Sequence, residues 1–241
     1  MVETFDVFCR GESRFARMNR NNDNKEWNEY MQGLIGRKIG MTRMFEKETG
    51  RSFAVTVIQA GNNAVHQVKT REKDGYCAVQ LGFDPVAEKR VTKPILGHCK
   101  KHGSAPTRII KEFPLDSADE KVQPGTSVGV ESLENVKIVD VIGISKGRGF
   151  AGTIKRHHFM RGRESHGSGC TRERGSMGSN TFPAHVFKGL RMSGHMGHVR
   201  CTAMCLRLLK VDTEKDIMLI RGSIPGPNGS VVVVRKSKKK G

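Results

Sequence analysis

Glycines and cations alternate through residues 146–200, where Gly149 and Gly152 precede Lys155 and Arg156, Gly175 and Gly178 follow Arg172 and Arg174, and Gly194 and Gly197 precede Arg200. Glycine beside lysine invites a phosphate-cradle reading. A Walker A loop needs Gly, four residues, Gly, Lys and a hydroxyl residue, so that amides wrap the phosphates and the hydroxyl reaches magnesium. The run from Gly147 to Lys155 lacks that spacing. Each Gly-x-x-Gly is also the element with which a KH module clamps an RNA backbone, but that module wants flanking helices. The surrounding glycines and prolines do not support them.

Metal-ligand types occur at short spacing in His98-Cys99 with His102, His195 with His198, and Cys201 with Cys205. Structural zinc declares itself as paired Cys-x-x-Cys or Cys/His clusters, and this sequence has none. The plainer reading makes the cysteines small core residues and the histidines polar contacts, so no metal and no cofactor are assigned. A nucleophile needs a base and an orienting partner. The stretch holding Ser165, His166 and Cys170 is nearly free of the acids that would orient a histidine, and its composition suits binding better than catalysis.

Polyanion binding explains the glycines and cations together. Residues 146–200 hold eleven Lys or Arg, two acids, six histidines and eleven glycines, a net charge of +9 that is half of the chain's +18. Lys146, Arg148, Lys155, Arg156, Arg161, Arg163, Arg172, Arg174, Lys188, Arg191 and Arg200 are the candidate phosphate contacts. Gly147, Gly149, Gly152, Gly194 and Gly197 would admit a close backbone approach, and His195 a polar contact. Phe150, Phe159, His157 and His158 can stack on unpaired bases. Any one of these cations is as easily a solvated charge, and the whole segment can be read as a flexible basic linker. As a set they predict RNA binding that weakens steeply with salt. Ordinary loops longer than about 12–15 residues are rare in compact domains, and this segment has 55 residues.

The elements that must hold such a segment are β-strands. Runs such as Phe53–Ile58, Ala64–Val68, Ala78–Leu81 and Ile138–Ile142 precede it, and Cys205–Leu209, Ile217–Ile220 and Val231–Val234 follow it, with Gly, Asn, Asp or Pro between them. Asp74-Gly75 reads as a turn. Alternation places Val55, Val57, Leu206 and Leu208 in a core. Short strands with turn punctuation predict a mainly β or α+β fold built on an antiparallel barrel. At 241 residues with 36% hydrophobic content the chain can bury such a core, and its pI near 10 points to a polyanionic partner. The six cysteines follow no disulfide framework, which predicts a reducing compartment. No apolar run approaches the roughly 18 residues of a membrane span. Residues 1–30 show no clear period and are expected to form a mobile extension, and Arg235–Lys240 a solvated basic tail.

From Met31 to about Arg235 the chain resembles the bacterial form of the universal third protein of the large ribosomal subunit. The carriers, in the family's order, are "GLIGRKIGMTRMF", "VTVIQAGNNAVHQVKT", "DGYCAVQLGF", "RVTKPILGH", "DVIGISKGRGFAGTIKR", "HVFKGLRMSGHMG" and "RGSIPGPNGS". The most specific piece sets Leu133, Asp140, Gly143, Ser145, Gly147, Arg148, Gly149, Gly152 and Arg156 at the spacing of the family signature. The resemblance implies a β-barrel of the translation-protein type with a small α+β part, made from residues 31–145 and 201–235. It also implies a long extended arm, residues 146–200, threading through large-subunit ribosomal RNA toward the peptidyl transferase centre, with 236–241 as a tail. A structural, non-catalytic component follows, cytoplasmic and in the ribosome, binding early in assembly beside neighbouring ribosomal proteins, with no membrane and no small-molecule substrate. Two departures stand out. Ser179 and Thr181 occupy the stretch where many relatives carry a methylated glutamine, so that modification is expected to be absent. Residues 1–30 precede the family's usual start, either as a lineage-specific extension or because initiation lies at Met31. The rival readings are a phosphate-ester enzyme using the Gly-rich loop, dependent on a divalent metal or a histidine, and a free RNA-binding regulator that needs no ribosomal partner.

Overall fold

The computed structural model describes residues 33–46, 50–61, 63–115 and 123–239. The expected N-terminal extension and the end of the basic tail lie outside the described residues, but the start of that tail is not a free solvated end. Arg235 and Lys236 close the strand Val231–Lys236, and Ser237 is buried, its N–H donating to Ile138 O at 3.1 Å. The chain divides into two compact units, one made of the described residues up to Gly143 and from Thr202 onward, the other of Ile144–Cys201.

The first unit contains a closed barrel whose strands run in the order β1 (Gly33–Phe45), β12 (Val231–Lys236), β7 (Ile138–Ile144), β10 (Arg200–Asp212), β11 (Ile217–Arg221) and β2 (Ser52–Gln59). A four-stranded sheet accompanies it, in the order β5 (Thr107–Pro114), β4 (Ala78–Pro85), β3 (Asn63–Lys69), β6 (Ser127–Val128). β-Branched residues form these strands because their stiff side chains fit a pleated, covered surface. Closure also leaves the barrel no unpaired edge. Val139, Val141, Val232, Val234, Met218, Ile220, Leu34 and Ile35 meet in one buried cluster, which continues into the sheet through Val65, Val79, Leu81 and Phe113. Each such side chain contributes about 1.5–3 kcal/mol when fully buried.

The alternation expected in β10 is present, and that in β2 needs correcting. Leu206 and Leu208 are half-buried and pack against the main cluster, whereas in β2 Val55 is buried, Val57 only half-buried, and the strand enters that cluster through Ile58. Both faces of β2 are partly covered, since Thr56, fully buried, donates to Gly222 O at 2.6 Å. A period of two therefore cannot tell the inner face from the outer. The Asp74-Gly75 turn is a single helical turn, α1 (Arg71–Asp74), ended by Gly75 at φ 82°, whose N–H reaches Arg71 O. A second helix, α2 (Lys93–Lys101), starts with Pro94 in its first turn, where the missing N–H costs nothing.

Buried polar groups tie the layers of this unit together. The Asn63 side chain pairs with the Ile35 backbone in both directions, donating to its O at 3.1 Å and accepting from its N at 3.2 Å. Asp140, nearly buried, accepts from Cys205 N at 2.9 Å, fixing a residue held at φ 56° on β10.

His66 is fully buried, with Nδ1 2.8 Å from Ser104 Oγ and Nε2 2.8 Å from Thr107 Oγ1. Burial first, then the positive fields of His98 and His102, lower its pKa below the ordinary histidine value. A neutral ring satisfies both hydroxyls. The stability it contributes is fully present above the unfolded-state pKa of about 6.5 and is lost as pH falls below that toward the folded value. Urea midpoints should therefore drop between about pH 7.5 and pH 5.5, with a shallower drop in His66→Gln. Equal pH slopes in the two proteins would remove His66 as the acid-sensitive group.

Candidate nucleic-acid interface

In the second unit, Ile144–Cys201, the start and end of the segment lie side by side. Ser145 N donates to Val199 O, Arg148 N to Met196 O, and Met196 N to Gly149 O, each at 2.9 Å. The short strands β8 (Phe150–Ala151) and β9 (Gly194–His195) then pair antiparallel. Ser145, a signature position, also uses its hydroxyl, which accepts from Val199 N at 3.3 Å. Beyond the pair, α3 (Thr153–His157) turns the chain, and both Arg156 Nη1 and His157 Nε2 donate to Met192 O, at 2.8 and 3.0 Å. Backbone hydrogen bonds and a few side chains on one carbonyl, in place of an apolar core, hold this unit together.

The predicted site residues fall into two groups. Lys146, Arg148, Lys155, His158, Arg163, Arg172, Lys188, Arg191, His195 and Arg200 are exposed and lie along both limbs of the segment. Arg156 and His157 are half-buried and bound to Met192, while Arg161, although exposed, pairs with Glu164. Arg174 is half-buried, with Nε and Nη1 buried and without a hydrogen-bond partner. The glycines divide likewise. A Cβ at Gly197, which sits at φ 75°, would overlap Lys146 O, and one at Gly194 would lie 2.7 Å from Arg156 Nη1. These two glycines thus let the returning limb close on the outgoing one. Around Gly149 and Gly152 the space is open, with no atom within 4 Å of an added Cβ.

Exposed apolar side chains were the feature that sequence reasoning largely missed. Phe150, Phe182 and Met160 are 79%, 88% and 90% exposed, and Phe187 is also exposed. Phe159, expected to stack, is instead half-buried beside His157, their rings 6.2 Å apart. The available signal was an aromatic residue among Gly, Pro and cations, with no periodic partner to cover it. On the returning limb, the His185 and Phe187 rings meet edge-on at 5.5 Å and His185 Nδ1 donates to Pro183 O at 2.7 Å. Glu173 raises the pKa of the exposed Cys170 thiol, leaving it a poor nucleophile at neutral pH.

Eleven cations, bare aromatic faces and open glycines in one segment suit a ligand that is at once polyanionic and rich in flat rings. Comparison with known proteins adds what geometry alone leaves open. Residues 109–217 match the family model described as ribosomal protein L3. Over 211 residues, 88% of this chain and 100% of the relative, the sequence is 45% identical to the large ribosomal subunit protein uL3 of Alkaliphilus metalliredigens. The chain belongs to the ribosomal protein L3 family. A second relative, the large ribosomal subunit protein uL3 of Solibacter usitatus, is 43% identical over 208 residues, 86% of this chain and 99% of that protein. The L3 family is one of structural ribosomal proteins and not of enzymes, so the rival enzymatic reading of the Gly-rich loop falls away.

The stretch in which the resemblance implies a methylated glutamine holds Ser179 and Thr181 in this chain, and a side-chain hydroxyl offers an amide methyltransferase nothing to modify. The tryptic peptide spanning Gly175–Lys188 should carry no added methyl mass in protein taken from its native source. A one-methyl shift on that peptide would contradict this.

Proposed function

We propose that the chain is a structural component of the large ribosomal subunit that binds large-subunit ribosomal RNA directly through residues 146–200. In this reading the barrel and sheet of residues 31–145 and 201–235 form the globular scaffold. The segment 146–200 is the arm that enters folded RNA, and the lysines after Ser237 are a short basic tail. Lys146, Arg148, Lys155, Arg163, Arg172, Lys188, Arg191 and Arg200 neutralise phosphates, Gly147, Gly149 and Gly152 admit the RNA backbone, and Phe150 and Phe182 stack on unpaired bases. His158 and His195 contribute further polar contacts. Arg174, with two buried nitrogens lacking an acceptor, gains one from a phosphate oxygen; leaving such donors unmet costs about 1–3 kcal/mol. The partners are ribosomal RNA and neighbouring ribosomal proteins, and the place is the ribosome, in the cytoplasm.

The observation that carries the reading is that cations and aromatic rings stand exposed on a segment held by its own backbone. Ordering such a segment in water gains little from apolar burial, whereas folded RNA supplies both countercharge and stacking partners. For the same reason binding belongs early in assembly, before the RNA around the segment closes, with the far part of the arm directed toward the peptidyl transferase centre. A photoreactive phenylalanine analogue at Phe150 and at Phe182, in assembled subunits, tests this. Both positions should crosslink to ribosomal RNA, Phe182 to nucleotides at the peptidyl transferase centre. Crosslinks only to protein, or from Phe182 only to RNA remote from that centre, would overturn the corresponding part of the proposal.

A further inference from the structure

The first unit carries a cleft of about 620 Å3 that the RNA-binding segment does not include. It lies where the end of β4, the start of α2 and the start of β5 meet β1, and its charged lining is Arg37, Arg90 and Arg108 around the single carboxylate of Asp84. Asp84 Oδ2 is 2.8 Å from Arg37 Nη2 and 4.0 Å from Arg108 Nη1, so one acid draws two guanidinium groups to the same side. Asp84 stands at φ 65°, a backbone state uncommon outside glycine, which persists only where the surroundings hold it. The same lining includes the apolar side chains of Val91 and Ile95, with Ile95 well exposed.

One carboxylate leaves three guanidiniums with a surplus of two positive charges. Each guanidinium has five N–H donors in a planar fork that matches phosphate, far more than Asp84 can accept. The size falls in the range of small-ligand sites, which bury a mostly apolar body and orient it with a few polar groups. A ligand that joins a phosphate to a weakly polar ring matches this lining, the phosphate suiting the arginines and the ring the aliphatic side chains. We infer that this cleft takes one nucleotide, with its phosphate on Arg37, Arg90 and Arg108 and its base against Val91 and Ile95. Asp84 acts as the positioning residue that pre-aligns Arg37 and Arg108. This site is separate from the segment 146–200 and does not rest on that segment's role. The nucleotide has two sources, a base extruded from RNA or a free nucleoside diphosphate.

The test uses the full-length protein in equilibrium dialysis with ADP and with pyrophosphate. ADP should bind several-fold more tightly than pyrophosphate because the base is buried. The double variant Arg90→Glu/Arg108→Glu should weaken ADP by at least about tenfold through lost charge-assisted hydrogen bonds. Ile95→Asp should abolish the advantage of ADP over pyrophosphate. Arg90, Arg108 and Ile95 are exposed, so these changes spare the core, and an unchanged circular dichroism melt verifies it. In assembled subunits, a photoreactive residue at Ile95 that crosslinks to one RNA nucleotide assigns the source as RNA. Protection of that residue by ADP, without an RNA crosslink, assigns it as free nucleotide. Equal binding of ADP and pyrophosphate, ADP binding untouched by the double variant, or a crosslink only to a protein segment would each overturn the inference. The double variant leaves the segment 146–200 unchanged, so its incorporation into subunits, scored beside its loss of ADP binding, keeps the two readings apart.

Discussion

Replacing Arg163, Arg172, Lys188 and Arg191 together by glutamine lowers affinity for large-subunit ribosomal RNA by roughly a thousandfold at moderate salt. All four are exposed, so their loss removes charge without opening a core. A hydrogen bond to a charged group contributes about 1.5–3 kcal/mol, and solvent screening at an exposed site reduces it to about 1 kcal/mol. Four such contacts then sum to about 4 kcal/mol, or roughly three decades in binding. The salt dependence should change with them, because each phosphate contact contributes about 0.7–0.9 to the slope of log K against log salt. Filter binding across a salt series should show a slope shallower by about 3. A weakened variant with the parent's slope would mean that these side chains shape the segment and do not neutralise phosphates.

Lys38→Met should cost the globular unit about 3 kcal/mol. Lys38 is 5% exposed, and its ammonium donates to Ile224 O at 3.2 Å and Gly226 O at 3.0 Å. Its backbone also holds the same loop, donating to Ser230 O at 2.9 Å and accepting from Gly229 N at 2.7 Å. Methionine fills the same volume but leaves both carbonyls without their donor, and each buried polar group so stranded costs about 1–3 kcal/mol. For a domain of this size about 3 kcal/mol corresponds to a fall in Tm of roughly 6–12 °C. A thermal scan of the purified variant measures it, and an unchanged Tm would mean that water replaces the ammonium and the loop is not pinned by Lys38.

The barrel was legible in the sequence where strands are β-branched and bounded by turn residues, as in β2, β7, β11 and β12. It was not legible in β1, whose first four residues, Gly33–Gly36, are all buried, so no alternation survives. α2 was hidden for another reason: nine residues with Pro94 near the start and Gly97 in the middle make a poor isolated helix, which tertiary packing of Cys99 sustains. The cations of the candidate site were legible because composition alone marks them. The division of the glycines was not, since Gly197 closes on Lys146 across some 50 residues of sequence and only long-range pairing reveals it. The exposure of Phe182 and Phe187 went unread, although each is an aromatic residue among Gly, Pro and cations with no periodic partner to cover it. His66 illustrates the opposite case, a histidine among apolar residues that is a satisfied core group and no ligand.

The most direct test of the central claim is sedimentation of a lysate from the native source through a sucrose gradient at high salt, with the protein quantified in every fraction. The account predicts one copy per large subunit, retained through the salt wash, because cations buried within folded RNA are shielded from competing counterions. Protein near the top of the gradient, or stripped from intact subunits by salt, would contradict it and bring the free RNA-binding regulator forward.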